Sequence, residues 1–585
     1  MAGTRVAAGD AAIDRAWRER YGYPVRGAAP PPRFTPPPTT TPPPRRSPDI
    51  DPPASKIPTF RDLPRAPAWV RAYQRLAFGI TPTSQQEFNA LGSDDVARYD
   101  AMVDQQLAWE SIDDSAMDAR LEAAGYTTLA KTLPQLWAEH VASTSGGDRM
   151  LPSQEVQRAT LARAVFSKRQ LRERLATFWN DHFNVTVSDW DAGPLYPHYN
   201  RNVIRGHAFG NFRAMLEAMA RSTSMMYYLD NRTNKRSGPN ENFARELLEL
   251  HTMGAEHYLG FISPDQVPPA PEDPTYPAGY TDIDVYETAA AFTGWSVNTG
   301  SEGDGTFIYR ANDHDGGPKY VLGMYIPPAQ ADLEDGRDVL SRLASHPKVA
   351  KFICKKLIRH FVTDDPPQSL VDSAAAVFRQ NWQHDEQIRL TLSHILHAPL
   401  AREASGDKRR RPAELVVAAL RGVGGEWTPR PGDARSNDLM WQLGFTGHVP
   451  HDWSAPNGYP DVAGAWSGSN SFAMTWRLLA WFTDASEPDQ GPRLMPIVEV
   501  SRAQVPQWTA RNLVDFWCRR ILGYPPTPAR TRILLDFMAQ NGNVDSFVIA
   551  DTNEWKGSDL KAHYNHDRLR NMVSMILMSP ELFQR

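Results

Sequence analysis

Residues 157–183 read QRATLARAVFSKRQLRERLATFWNDHF. Apolar side chains return in this stretch every three or four residues, which lines one apolar stripe along an α-helix. It therefore predicts one long amphipathic helix. Working outward, the same interval holds from Ala66 to about Gly254, helix after helix with few strand-like runs. The chain is predicted to be a mainly α, multi-helix globular protein.

The main exception is GTFIYRANDHDGGPKYVLGMYI, from Gly305 to Ile326. Two β-branched and aromatic runs flank Gly316-Gly317-Pro318 there, so a small β-hairpin closing at that turn is expected. Just before it, Ser263 to Gly279 carries six prolines. That composition predicts a loop, either laid over neighbouring structure or simply inserted.

The C-terminal half repeats itself. Phe352-Ile353-Cys354-Lys355-Lys356-Leu357 matches Phe516-Trp517-Cys518-Arg519-Arg520-Ile521, and each copy is followed by a Pro-Pro pair. Ser393 to Pro399 then corresponds to Ser574 to Pro580. Two helical units of one design are expected, at about residues 340–402 and 505–585, each burying its cysteine as a reduced core residue. At the other end, Pro30 to Pro53 holds 12 of the 49 prolines, so residues 1–56 read as a disordered tether or an SH3-type ligand. The implied organisation is a Pro-rich segment 1–56, a helical region 57–330 and a helical region 331–585.

Lys plus Arg total 63 against 68 for Asp plus Glu, a net charge of −5. No basic field is available for nucleic acid or an anionic membrane. No run is long enough to span a bilayer, and the first thirty residues lack the apolar stretch of a secretory signal, which predicts a cytoplasmic location. Phosphate-binding glycine loops, a serine-nucleophile elbow and a His-Glu-x-x-His helix are all missing from the sequence.

Several segments together carry a resemblance. They are Arg75-Leu76-Ala77-Phe78-Gly79, then Phe178-Trp179-Asn180-Asp181-His182-Phe183, and above all Pro239 to Gly254, PNENFARELLELHTMG. Tyr280-Thr281, Glu287 and Thr293-Gly294-Trp295 continue it, as do His314-Asp315, Gly317 and Lys319. These resemble the motifs of a bacterial family of uncharacterised proteins, domain of unknown function 1800, over roughly residues 65 to 585. The resemblance implies a mostly helical fold and no established activity. Many members are exported, which keeps export open, and frequent gene neighbourhood with an alkaline-phosphatase-like family implies a partner of that kind.

Within the signature, Glu241, Arg245 and Glu249 are four apart, so on an α-helix the guanidinium would meet a carboxylate on either side. Asn242, Glu246 and Glu249 would share an adjoining face, placing two carboxylates together as a helical metal or acid/base site requires. The candidate catalytic residues are Glu246 and Glu249, joined by His182, His314 and Asp315 from other segments. Arg245, Asn242, Glu287 and Lys319 are candidate binding residues. A divalent metal ion is the cofactor such a site would take, with Glu246, Glu249 and His182 as ligands. Each residue also has a structural reading: an Arg–Glu network fixing helix packing, a hydrogen-bonded core histidine at 182, and an Asp315 that caps its own turn. Three functions stay open. They are a metal-assisted or acid/base enzyme such as a hydrolase, a non-catalytic assembly partner, and a carbohydrate or polymer binder using some of the 17 tryptophans.

Overall fold

The single helix expected over 157–183 is two helices, Leu151–Phe166 and Gln170–His182, in the computed structural model of the protein. Asp114 causes the break. Its carboxylate accepts from the Ser167 hydroxyl at 2.6 Å and from the Lys168 N–H at 2.8 Å. The Gln170 amide then donates to the carbonyls of Ala164 and Ser167, at 3.0 and 2.8 Å. Side chains thus replace the backbone bonds that a continuous helix would have made.

The structure describes residues 63–142, 149–300, 302–406, 408–484 and 494–585. The Pro-rich segment 1–56 lies outside the described residues. The fold is mainly α, with three small two-stranded antiparallel sheets among the described residues. Helix Pro412–Val423 is buried along its whole length. Largely apolar and covered on every side, it belongs in the core, and it packs on both Leu151–Phe166 and Ala510–Leu522.

The hairpin is present but its turn is elsewhere. Phe307–Tyr309 pairs with Trp295–Val297, and Lys319–Val321 pairs with Met324–Ile326. The runs on either side of Gly316-Gly317-Pro318 therefore do not pair with each other. The true turn is Leu322-Gly323, with φ of 49° and 72°. Two positive φ values are what a tight two-residue hairpin turn requires, and Pro318 has no N–H to give a ladder. The proline loop forms its own short pairing, Pro269–Ala270 with Asp273–Pro277. It lies over neighbouring helices through ion pairs from Glu272 to Lys348 and Lys351 and from Asp273 to Arg379.

The first Phe-x-Cys motif lies in helix Pro347–Phe361, which Gln368–Gln380, Gln387–Leu396 and Pro399–Glu403 follow. The second lies in Ala510–Leu522, which Pro528–Ala539, Asn565–Leu577 and Pro580–Phe583 follow. Both cysteines are free and buried. Among the described residues, no helix is long and apolar enough to cross a membrane.

Candidate functional site

The signature segment begins as an α-helix, Asn242–Glu246, and continues as a π-helical turn, Leu247–Thr252. Backbone bonds there skip five residues, as from Met253 N–H to Leu248 O at 2.8 Å. The change of pitch undoes the four-residue spacing. Arg245 pairs with Glu241 and Asp282, both at 3.2 Å, and among the described residues it makes no ion pair with Glu249. Asp282, buried at the start of helix Asp282–Ala291, takes the place expected of Glu249 and also accepts from the Tyr258 hydroxyl at 2.6 Å. Asn242 is exposed, with its N–H on the Asn240 side chain.

Glu246 and Glu249 are half-buried, and among the described residues neither carboxylate has a hydrogen-bond or ion-pair partner. Burial raises the Glu246 carboxyl above its ordinary value, the charge of Glu249 raises it further, and Arg245 opposes both. The Tyr280 hydroxyl is buried and unpartnered, its acidity weakened by burial and then by the charge on Glu249.

His182 does not join them. Its Nδ1 lies 2.8 Å from Lys356 Nζ, and its Nε2 lies 3.0 Å from the carbonyl oxygen of His251. Both ring nitrogens are thus occupied within a cage that includes Phe178, Trp179 and Phe183. Burial first, then the Lys356 and His251 charges, hold its pKa well below the ordinary value. A neutral ring accepting from Lys356 and donating to the carbonyl fits this geometry. Lys356 itself went unnoticed in the sequence, where FICKKLI reads only as an amphipathic helix. Burial lowers its ammonium to about 8, against the pull of Asp181 and Asp461.

His314, Asp315, Lys319 and Glu287 form a second group. Asp315 caps its turn by accepting from Gly317 N–H at 2.8 Å, the structural alternative to a catalytic role. Lys319, 1% exposed, donates to Asp335 at 2.6 Å, to Gly317 O at 2.9 Å and to Asp315 O. His314 Nε2 stands 3.2 Å from the same Asp335, and its Nδ1 stands 2.9 Å from Thr293 O. Asp335 lies at the start of helix Glu334–Ala344, so these bonds clamp the loop onto that helix. Glu287 and Asp284 accept the backbone N–H groups of Tyr320 and Leu322, which seats the hairpin on helix Asp282–Ala291. Among the described residues, no three His, Cys, Asp or Glu side chains form a group that could hold a metal ion. Glu246, Glu249 and His182 accordingly do not make a three-ligand centre.

A further charged cluster was invisible in the sequence. Lys408-Arg409-Arg410-Arg411 reads as a solvated basic run, yet all four side chains are buried. Arg411 Nη1 meets Asp181 at 2.6 Å and Nη2 meets Glu414 at 3.4 Å. Lys408 bridges Asp364 at 2.6 Å and Asp461 at 2.8 Å, and His360 Nδ1 lies 2.8 Å from Asp461. Burial pushes the Asp181 carboxyl up to about 6 even with Arg411 opposing. Burial would also raise Asp461, but Lys408, His360 and Arg411 hold it far below the usual range. The turn at Asn457 to Pro460 closes over this cluster. Gly458, at φ +67°, packs against Asp181 O, where a Cβ would sit at 1.9 Å. Asp181, Arg411, His448, His451 and Tyr459 line a small cavity of about 50 Å³. Such opposed charges, each meeting a partner from another segment, fix how the helices pack.

Comparison with curated proteins gave no match. Comparison with solved structures gave none either. A family model described as Protein of unknown function (DUF1800) matches residues 71–585, and the chain belongs to that family.

Proposed function

We propose that the chain is an acid/base enzyme, a hydrolase, whose reacting groups are Glu246 and Glu249. One observation carries this reading: the two carboxylates are half-buried, near enough for one to raise the other, and unpartnered among the described residues. Structural carboxylates elsewhere in the fold behave differently. Glu155 accepts from Thr127 and Thr128, and Glu173 takes both arms of Arg205. A half-buried carboxylate pair without donors is destabilising, and such arrangements concentrate where chemistry is done. Glu246, raised, is suited to hold and deliver a proton, and Glu249 to accept one from water. The acid/base branch is favoured over a metal-assisted one because a third His, Cys, Asp or Glu ligand is missing from the donor set among the described residues.

The test is turnover of chromogenic esters, phosphoesters and glycosides, with a pH profile, by the wild-type chain and by Glu246→Gln and Glu249→Gln. Activity lost in folded variants of both is the expected result. Activity that survives both substitutions, or a wild-type chain inert on the whole panel, would refute the assignment.

A second reading, an assembly role beside an alkaline-phosphatase-like partner, draws support from exposed aromatic residues. Trp441 and Phe445, with ring centroids 4.3 Å apart, and Trp476 are exposed on the packed helices Ala434–Thr446 and Ser469–Asp484. The same rings suit stacking on a sugar, the carbohydrate-binding alternative. Pull-down with the phosphatase-like protein and retardation in polysaccharide gels separate the two.

A further inference from the structure

A cleft of about 810 Å³ shares no lining residue with the candidate site around Glu246. Its walls come from the Thr81-Pro82 loop, the break at 166–170, and the end of helix Pro412–Val423 with Gly424-Gly425. Arg421 lines it and is 6% exposed. Its Nε donates to Gly79 O at 2.9 Å and its Nη1 to Val165 O at 2.7 Å. Those two carbonyls orient the guanidinium without neutralising it. Among the described residues no carboxylate lies within ion-pair distance of Arg421, and Nη2 neither donates to a protein acceptor nor is sealed away from the cleft.

Two more cations line the same space without a carboxylate partner among the described residues. Lys168 is exposed, and Arg520 is held by Val423 O at 2.9 Å and Gln504 at 3.2 Å. The two carboxylates of the cleft are engaged elsewhere. Glu87 accepts from the Tyr73 and Thr83 hydroxyls, both at 2.7 Å, and Glu426 pairs with Arg120. Apolar surface is supplied by Leu91, Met102, Ile112, Phe166 and Leu420. Burial lowers Arg421 to about 10, opposed by Tyr73 and Glu87, so the guanidinium stays charged at neutral pH. A buried guanidinium without a counter-ion is costly unless something anionic completes it. The volume is that of a site for a small organic ligand.

We propose that this cleft binds a small organic anion, a carboxylate or a phosphate ester with an apolar body, anchored on Arg421 and flanked by Lys168 and Arg520. Guanidinium groups present paired donors to either anion, so both share one recognition chemistry.

The test uses the full chain and reads binding alone, so it is independent of any turnover at Glu246. Phenyl phosphate, benzoate, octanoate, inorganic phosphate and benzyl alcohol are titrated by calorimetry and thermal shift. An organic anion should raise Tm at about 10 mM, benzyl alcohol should not, and whichever of phenyl phosphate and the carboxylates binds tighter identifies the anion class. Arg421→Gln should weaken the best ligand about tenfold or more, and Lys168→Gln with Arg520→Gln about threefold. If Arg421→Gln does not fold, the double variant decides. The proposal is overturned if no anion binds, if affinity is unchanged in the variants, or if inorganic phosphate binds as tightly as phenyl phosphate.

Discussion

Replacing Arg411 by methionine removes the cation that faces two carboxylates at once, half-buried Asp181 at 2.6 Å and buried Glu414 at 3.4 Å. Breaking such a pair from one side costs about 3–5 kcal/mol. With an unfolding entropy of about 2.1 cal/mol/K per residue over roughly 500 residues, Tm falls by about 3–5 °C if the unit melts as one. The loss should also depend on pH. In the intact protein Asp181 sits at about 6 against an ordinary 3.8, because burial outweighs Arg411. The native state then binds the proton more tightly than the unfolded chain, so this residue's contribution to stability falls as pH rises from 3.8 to about 6 and is level above. That displacement corresponds to about 3 kcal/mol at neutral pH. Without Arg411 the carboxyl moves higher still, and the unfavourable window extends upward. Scanning fluorimetry should find a larger Tm deficit at pH 8 than at pH 5, and Asp181→Asn added to Arg411→Met should recover part of it. An equal deficit at both pH values would refute the account of Asp181 as a strained, ionised partner.

Three further outcomes are expected. Glu246→Gln should melt no lower than wild type, since the carboxylate has no donor to lose and its charge is disfavoured by burial and by Glu249; a fall of several degrees would mean that Glu246 holds structure together. Arg245→Met should lose only about 1–2 kcal/mol, less than Arg411→Met, because its side chain is 29% exposed to screening water and Asp282 keeps the Tyr258 hydroxyl; paired chemical denaturation curves rank the two. Cys354 and Cys518, with thiols raised by burial and Cys518 pushed up to about 12, should resist iodoacetamide in native protein and react once it is unfolded; rapid native labelling of either, read by mass spectrometry, contradicts their place in the core.

Helical periodicity alone was enough to read the fold class, because amphipathic spacing is a local property. The errors share one cause: a partner distant in sequence decided the local outcome. The helix over 157–183 breaks because Asp114, 53 residues before Ser167, takes over its donors. Arg245 turns to Asp282, 37 residues onward, because a π turn moves Glu249 out of reach. The hairpin closes at Leu322-Gly323 although Gly-Gly-Pro has the stronger turn composition, since Asp284 and Glu287 receive the hairpin backbone from a separate helix.

The same distinction explains why the chemistry was harder to read than the fold. Residue type is visible in a sequence, but whether a carboxylate is satisfied depends on every element that packs around it. Glu414 and Glu246 each lie in a helical run with an arginine close by. Glu414 shares Arg411 and accepts its N–H at 3.0 Å, while Glu246 is left without a donor among the described residues. Lys408 to Arg411 would ordinarily be assigned to the surface; Lys408 and Arg411 are buried against Asp181, Asp364, Glu414 and Asp461, while Arg409 meets Ser467 and the Phe472 ring and Arg410 the carbonyls of Leu582 and Gln584. Folding spends most of the charged residues here on one another. A carboxylate pair at 246 and 249 and a guanidinium at 421 that opens on a cleft are among those left without an opposite charge, and there a substrate or ligand has something to complete.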